Sequence, residues 1–157
     1  MTKKELPILL GEIELEIGRL QEVVGELQSL EASHDETPPD KIHRMAAAGF
    51  LHNLYNGMEN CLLRIARGVD EHVPSGPEAH RELLDQMASD VKGIRPPVIG
   101  SSLHAALDEY RRFRHAFRHM YFFDLEWERM APLMEKAGST CSQFEQFVRK
   151  MFSALSD

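Results

Sequence analysis

The sequence has 157 residues, of which 43% are hydrophobic and 27% are charged, and its net charge is −7. This composition is typical of one soluble globular domain, and it argues against a disordered chain and against a membrane-spanning segment. Lys3 and Lys4 precede only a short apolar stretch, unlike a secretory signal, and Cys61 and Cys141 lack metal-ligand spacing. We therefore expect a reduced, cytoplasmic protein with one domain over residues 1–157 and with buried, structural cysteines.

Apolar residues recur at alternating spacings of three and four along the chain, which predicts helices and no strands. The first helix is expected to begin near Pro7 and to have an acidic outer face. After a break at residues 37–39, a second helix is expected to run to about Gly68, because glycine favours the end of a helix. The core positions predicted on these two helices are Leu10, Ile13, Ile17, Leu20, Val24, Leu27, Phe50, Leu54, Met58, Leu62 and Ile65.

The second half of the chain predicts three more helices, separated by clusters of proline and glycine. Ser101 is expected to cap the fourth helix, and Pro132 to divide the fifth into a short first segment after Asp124 and a main rod. The whole pattern predicts an all-α antiparallel bundle of about five helices. The predicted core positions here are Leu84, Met87 and Val91, then Leu103, Ala106, Tyr110, Phe113, Phe117 and Met120, and finally Ala137, Cys141, Phe144, Val148, Met151 and Leu155.

The end of the fourth helix is a concentrated basic stretch. Residues 110–119 contain four arginines and two histidines and no acidic residue, whereas the acidic excess of the chain lies in residues 1–40. Because like charges on successive helical turns repel one another, the stretch predicts a bound anion. A basic face that is simply solvated is the alternative.

Within this stretch, Arg114 is followed after four residues by His119 and then, one residue further, by Tyr121. This pattern resembles the RX4HXY signature of HEPN-domain ribonuclease toxins of the HepT type. As in that family, the pattern lies at the end of the penultimate long helix. The following residues 122–125, which lead into the last helix, are also similar to the family. Two further segments resemble a HepT-like branch whose members lie beside small nucleotidyltransferase genes, namely residues 50–59 and 80–87.

The resemblance implies a HEPN-like fold and the toxin of a toxin–antitoxin system whose antitoxin is a minimal nucleotidyltransferase. It also implies a symmetric homodimer. The implied activity is that of an endoribonuclease that needs no metal and no other cofactor. Such an enzyme cleaves RNA through attack of the ribose 2′-hydroxyl on the adjacent phosphate and leaves a 2′,3′-cyclic phosphate.

In this chemistry Arg114 would hold the scissile phosphate with two hydrogen bonds and stabilise its developing charge. His119 would be the base, because neighbouring arginines disfavour its protonated form. Tyr121 would stack on a nucleobase or donate to a phosphate. The resemblance also makes Tyr121 the residue to which the antitoxin attaches AMP, which would block this surface with bulk and negative charge.

Further polar residues of the fourth helix are expected to support the site. Arg118 would extend the track of phosphate contacts, and Arg111 would add to it. Asp108 would either pair with Arg112 or orient His115 through a hydrogen bond.

The helical geometry separates the two main residues. Arg114 and His119 lie about 140° apart around an ideal helix, whereas Tyr121 would project from nearly the same side as Arg114. Either the helix loosens near His119, or a homodimer built around the fourth helix brings the arginine and the histidine of both subunits into one cleft.

Other interpretations stay open at this point. The bundle could be a non-catalytic binding or substrate-recognition partner of a nucleotidyltransferase, or a scaffold whose arginines meet the acidic first helix of a neighbour. His115 and His119, one turn apart, could bind a metal, although the arginines oppose a cation. His80 and Arg95 could line the cleft but are more simply surface or loop residues. Glu31 and His34 are expected to lie on the surface. Tyr55 and Trp127 are expected to pack in the interior.

Overall fold

The computed structural model describes residues 2, 4–33, 38–121 and 124–157. In these ranges the chain forms five α-helices and, apart from one isolated bridge between Val91 and Arg95, no β-structure. The predicted all-α bundle is thus confirmed. The helices are α1 (Glu5–Ser33), α2 (Lys41–Ile65), α3 (Ala79–Met87), α4 (Ser101–Arg118) and α5 (Trp127–Ser156).

α2 is the central helix and contacts each of the other four. It lies closest to α1 at Gly57, where an added Cβ atom would collide with the side chain of Leu20. Cys61 and Cys141 are free and buried, and burial raises the pKa of the Cys61 thiol to about 12. The expectation of packed thiols is therefore confirmed. No helix in the described ranges has an apolar stretch long enough to cross a bilayer.

Most predicted core positions are buried, but on two helices a residue next to a predicted position is the more deeply buried one. Leu9 is buried where Leu10 is only partly so, and Leu107 joins the core of α4. Tyr55 is buried and Trp127 is partly buried against the core, as expected. Nine predicted core residues are only partly buried, namely Leu10, Val24, Phe50, Val91, Ala106, Phe113, Phe117, Met120 and Leu155.

The first two helices begin at polar caps. Thr2 and Glu5 form a reciprocal pair, in which the Thr2 backbone N–H donates to Glu5 Oε2 (2.6 Å) and the Glu5 N–H donates to Thr2 Oγ1 (3.4 Å). α1 consequently begins at Glu5, before the expected Pro7. Asp40 caps α2 by accepting from the His43 N–H at 2.9 Å, and this hydrogen bond lowers the pKa of Asp40.

The expected cap of α4 is wrong. Ser101 is the first helical residue, and Gly100 occupies the cap position without a side-chain hydrogen bond. The reason is packing, since an added Cβ atom at Gly100 would lie 2.9 Å from the Phe147 ring of α5. A glycine lets the start of α4 approach α5 closely.

The end of α2 and the start of α5 also differ from expectation. α2 does not stop at Gly68 but passes into a wider π-helical turn, Ala66–Asp70, which ends at Glu71 with a φ of 53°. Pro132 does not divide α5, which is continuous. Pro132 lies near the start of α5, and because proline has no N–H, the helix lacks one backbone hydrogen bond there.

The connection from α3 to α4 is held by a buried ion pair. α3 ends at Met87, so Val91 lies outside the helix and exchanges backbone hydrogen bonds with Arg95 at 3.0 Å. The Arg95 side chain is buried and binds both carboxylate oxygens of Asp70, at 2.6 and 2.7 Å. Asp70, the last residue of the π-helical turn, thus supplies the carboxylate that neutralises Arg95.

Candidate functional site

The basic stretch of α4 divides into a half whose arginines pair with a carboxylate and a half whose arginines do not. Asp108 forms ion pairs with Arg111 (2.8 Å) and Arg112 (3.1 Å), which accounts for both of its carboxylate oxygens. The predicted pair of Asp108 with Arg112 is therefore confirmed, and the alternative role of orienting His115 is not observed. Among the residues that the structure describes, Arg114 and Arg118 have no carboxylate partner.

Arg114 faces α2 and packs against an aromatic ring. Its guanidinium carbon lies 5.9 Å from the centroid of the Tyr55 ring, a cation–π contact. Its Nε atom is buried and has no hydrogen-bond partner. An unpaired buried donor of this kind usually costs about 1–3 kcal/mol, more in a charged group.

His52 on α2 is a functional candidate that the sequence reading missed. Its ring centroid lies 5.5 Å from that of Phe117, and its Nε2 atom lies 2.9 Å from the side-chain nitrogen of Asn56. Because an amide nitrogen only donates, Nε2 is the acceptor and the ring proton is on Nδ1. Burial lowers the pKa of His52, and the charges of Arg114 and Arg118 lower it further.

Three buried side-chain polar atoms in the described ranges lack a hydrogen-bond partner: His52 Nδ1, Tyr55 Oη and Arg114 Nε. All three lie where α2 packs on α4. Burial raises the pKa of Tyr55, the nearby Glu59 raises it further, and the arginines of α4 oppose this effect. We refer to His52, Tyr55, Arg114 and Arg118 as the α2–α4 polar cluster.

The spacing of the residues explains why this cluster forms. His52, Tyr55 and Glu59 recur at intervals of three and four on α2, so they share one helical face. Arg114 and Arg118 are likewise four residues apart on α4. The polar spacing on α2 is a signal in the sequence that could have pointed to this face.

His119 and Tyr121 lie beyond α4. The helix ends at Arg118, and His119 is its C-terminal cap, with its N–H donating to the Ala116 carbonyl at 3.1 Å. The His119 ring is exposed and meets the His115 ring edge-on, with 4.8 Å between centroids. Tyr121 is 72% exposed. The expectation that Tyr121 shares a helical side with Arg114 is wrong, because the helix ends before it.

The structure does not bring Arg114 and His119 together within one chain. Arg114 lies against α2 with Tyr55, whereas His119 lies beside His115 at the exposed end of α4. In the described part of the chain, no hydrogen bond, ion pair or ring contact joins the two side chains. The helix does end at the point where loosening was expected, but a single subunit does not assemble the pair.

The secondary candidates divide between structural and site-adjacent roles. Arg95 lies in the connection between α3 and α4, as the loop alternative predicted, but its side chain is buried in an ion pair, so its assignment to the cleft or the surface is wrong. His80 Nδ1 lies 2.8 Å from Oε2 of the buried Glu59, one turn beyond Tyr55 on α2. Glu31 is exposed, and His34 lies outside the described residues. The described residues include no cluster of three or more potential metal ligands.

A cavity of about 490 Å³ lies between α4 and the start of α5. Apolar side chains, including Phe113, Met120 and Leu133, line it, and Arg112 and Arg129 lie among three glutamates around it.

The model of one protein family, described as HepT-like protein, matches residues 46–155 of the chain. The chain belongs to the HepT-like family. Comparisons with curated proteins and with solved structures give no match. The part that matches the HepT-like model spans the α2–α4 polar cluster, His119 and Tyr121, and it begins after the acidic helix α1. The resemblance noted in the sequence is thus confirmed at the level of family and fold.

Proposed function

We propose that this HepT-like protein is a metal-independent endoribonuclease toxin. The observation that carries the proposal is Arg114, an uncompensated guanidinium held against the Tyr55 ring with a buried donor that lacks an acceptor. A phosphate supplies both the charge and the acceptor that this side chain lacks. Membership of the HepT-like family supports the assignment of this anion to RNA.

In the proposed reaction, His119 takes the proton of a ribose 2′-hydroxyl as the 2′-oxygen bonds to the adjacent phosphorus. The bond from phosphorus to the 5′-oxygen breaks, and that oxygen takes up a proton from water. The products are a 2′,3′-cyclic phosphate and a 5′-hydroxyl. Arg114 stabilises the charge that develops on the phosphorane oxygens, a contribution that typically amounts to about 10²–10³-fold in rate.

We propose that a two-fold dimer completes the site. Since Arg114 and His119 of one chain face different neighbours, the reacting pair combines Arg114 of one protomer with the partner's His119. The exposed position of His119 at the end of α4 leaves its ring accessible to a second subunit. Arg118, also exposed, contributes a further phosphate contact in such a cleft.

Regulation by a nucleotidyltransferase antitoxin fits the position of Tyr121. Its side chain is exposed and lies two residues beyond His119. Attack of the Tyr121 hydroxyl oxygen on the α-phosphorus of ATP would release pyrophosphate and leave AMP on the tyrosine. The added phosphate is negative and bulky, so it competes with RNA for the arginines.

Cleavage of RNA in excess EDTA tests this proposal. We expect the wild-type protein to produce ends with a 2′,3′-cyclic phosphate, and Arg114→Ala and His119→Ala each to lose cleavage. The matched controls are Arg149→Ala, in an ion pair between α5 and α1, and His104→Ala, near the other end of α4. Cleavage that is unchanged in both site variants would show that a contaminant cuts the RNA.

Mixing the two inactive variants tests the shared site. If each site combines residues of two subunits, half of the dimers in an equal mixture are mixed, and each mixed dimer carries one intact site. The mixture should then recover about a quarter of wild-type activity. Recovery of no activity, with exchange of subunits verified by mass spectrometry, would place both residues of each site in one subunit.

One observation favours a second candidate function. Because Arg114 and His119 do not meet within one chain, the protein could instead be a non-catalytic binding partner of a nucleotidyltransferase. The exposed Tyr121 would then be part of the docking surface. Absence of RNA cleavage and of cell toxicity, together with a nucleotidyltransferase that co-purifies, would favour this alternative.

A further inference from the structure

The α2 side of the α2–α4 polar cluster has no role in the reaction described above. His52 and Arg114 each bury a nitrogen that carries a hydrogen and has no acceptor. Buried polar groups in proteins are almost always hydrogen-bonded, and the exceptions often mark functional positions. Two unpaired donors on adjacent helices, beside the cationic Arg118, form a site that lacks an acceptor with negative charge.

We propose that His52 is a second substrate-binding residue, whose Nδ1–H donates together with Arg114 Nε–H to one phosphate group of the RNA backbone. Arg118 adds its charge to the same phosphate track. This inference deepens the proposed function and depends on RNA being the substrate.

The hydrogen bond from Asn56 determines which nitrogen of His52 is available. The Asn56 amide donates to Nε2, so the proton is held on Nδ1, which is the unpaired atom. Asn56 thereby acts as a positioning residue that fixes the tautomer and the orientation of the ring. The aromatic ring of Tyr55 has the corresponding role for the guanidinium of Arg114.

His52 Nδ1 and Arg114 Nε are both covered in the folded chain, and a phosphate can still reach them. The ring of Phe117 lies against His52, and α4 ends one residue later, at Arg118. The last turn of a helix opens at a lower free-energy cost than its interior. A phosphate therefore reaches the two donors through a shift of this final turn and leaves α2 in place.

The charge around His52 makes the binding observable. The charged groups that act on His52 are Arg114 and Arg118 of α4, and its own helix contributes the neutral Asn56 amide. A phosphate between these residues offsets the two positive charges and accepts a hydrogen bond from the imidazole. Both effects favour the protonated ring, so binding should raise the pKa of His52.

NMR titration of the histidine ring signals tests this directly. The probe is a short RNA oligonucleotide with 2′-O-methyl groups, which has the phosphodiester backbone but lacks the attacking hydroxyl. We expect the pKa of His52 to rise in the complex, whereas the ring signals of His104, which pairs with Asp85, do not respond to the oligonucleotide. An unchanged His52 at a saturating oligonucleotide concentration would overturn the inference.

Inorganic phosphate and AMP distinguish the source of the anion. A backbone site predicts that the oligonucleotide shifts the His52 signals at a lower concentration than either small anion, because neighbouring phosphates add contacts with Arg118. A response to phosphate or AMP that equals or exceeds the response to the oligonucleotide would assign the cluster to a small anion and would contradict an RNA backbone site.

Two substitutions separate the donor from the shape of the side chain. His52→Phe keeps a ring but removes both nitrogens, whereas His52→Asn keeps a donor near the position of Nδ1. We expect His52→Phe to raise Kd for the oligonucleotide about tenfold, and His52→Asn to recover most of this loss. His104→Asn is the matched control. Equal Kd values for wild type and His52→Phe, with both proteins folded by circular dichroism, would refute the donor role.

The two proposals fail in different ways. Cleavage that needs Arg114 and His119 but is indifferent to His52 would leave the enzyme in place and remove the phosphate site on α2. Oligonucleotide binding that depends on His52, without any cleavage, would keep the site and remove the enzymatic function.

Discussion

Two arginines of this chain pack against helices, Arg95 buried and Arg114 partly buried, and their surroundings are opposite. Arg95 uses all five of its N–H groups, two on Asp70 and three on the backbone carbonyls of Gln86, Ser89 and Pro96. Arg114 has a buried Nε without any acceptor.

The comparison shows how a structural cation differs from a candidate binding residue. A guanidinium whose donors are all satisfied inside the fold stabilises the fold and offers nothing to a ligand. A guanidinium whose donors are unsatisfied destabilises the fold unless a ligand completes it. Burial alone therefore does not distinguish a candidate binding arginine from a structural one, whereas the balance of its hydrogen bonds does.

The largest expected effect is on folding and concerns Arg95. Arg95→Ala leaves the carboxylate of Asp70 buried without its partner, which should lower the free energy of unfolding by about 3–5 kcal/mol. Urea denaturation monitored by circular dichroism measures this. A loss below about 1 kcal/mol would remove the contrast between the two arginines.

Arg114 should show the reverse pattern. Arg114→Ala should lower kcat for RNA cleavage by about 10²–10³-fold. It should change the free energy of unfolding by less than about 1 kcal/mol, because the lost cation–π contact is offset by removal of an unpaired buried donor. Kinetics and denaturation of the same preparation provide both numbers. A stability loss as large as that of Arg95→Ala would make Arg114 a structural residue.

Two tyrosines sharpen the comparison on a smaller scale. The Tyr110 hydroxyl donates to the Leu133 carbonyl at 2.6 Å, whereas no acceptor meets hydrogen-bond geometry at the buried Tyr55 hydroxyl, near which Glu59 lies. Tyr110→Phe should lower the free energy of unfolding by about 1–2 kcal/mol, and Tyr55→Phe should leave it unchanged or raise it slightly. Thermal and urea unfolding of the two variants side by side measure this difference. Equal losses would mean that the Tyr55 hydroxyl is satisfied in solution.

The smallest expected effect is a dependence of stability on pH. In the folded chain the pKa of His52 lies below its ordinary value of 6.5, so the unfolded chain binds this proton more readily. Keeping His52 unprotonated in the folded chain therefore costs folding free energy. This cost is absent above pH 6.5, grows as the pH falls below 6.5 and is complete below the pKa of the folded chain. The free energy of unfolding of the wild type should therefore decline more steeply on acidification than that of His52→Phe. Parallel pH profiles of the two proteins would contradict this.

Much of the fold was predictable because helical periodicity is a local property. The predicted α1 positions Ile13, Ile17, Leu20 and Leu27 and the stripe of α5 from Ala137 to Met151 are buried as the spacing indicates. The errors lie where a distant residue decides the local structure. Gly68 does not end α2, since the chain continues to Asp70, which neutralises Arg95. Gly100 displaces Ser101 from the cap position, since the Phe147 ring occupies the space that a side chain would need.

The candidate site divides in the same way. Arg114, His119 and Tyr121 are close in the sequence, so their spacing alone supports a family resemblance and a chemical role. His52 is far from them in the sequence, and a single histidine in an amphipathic helix carries no comparable pattern. The sequence by itself determined the helices, their buried faces and the basic end of α4. Only the packing of α2 on α4 decided which donors stay unpaired, because hydrogen bonds and desolvation depend on neighbours that the chain brings together from distant positions.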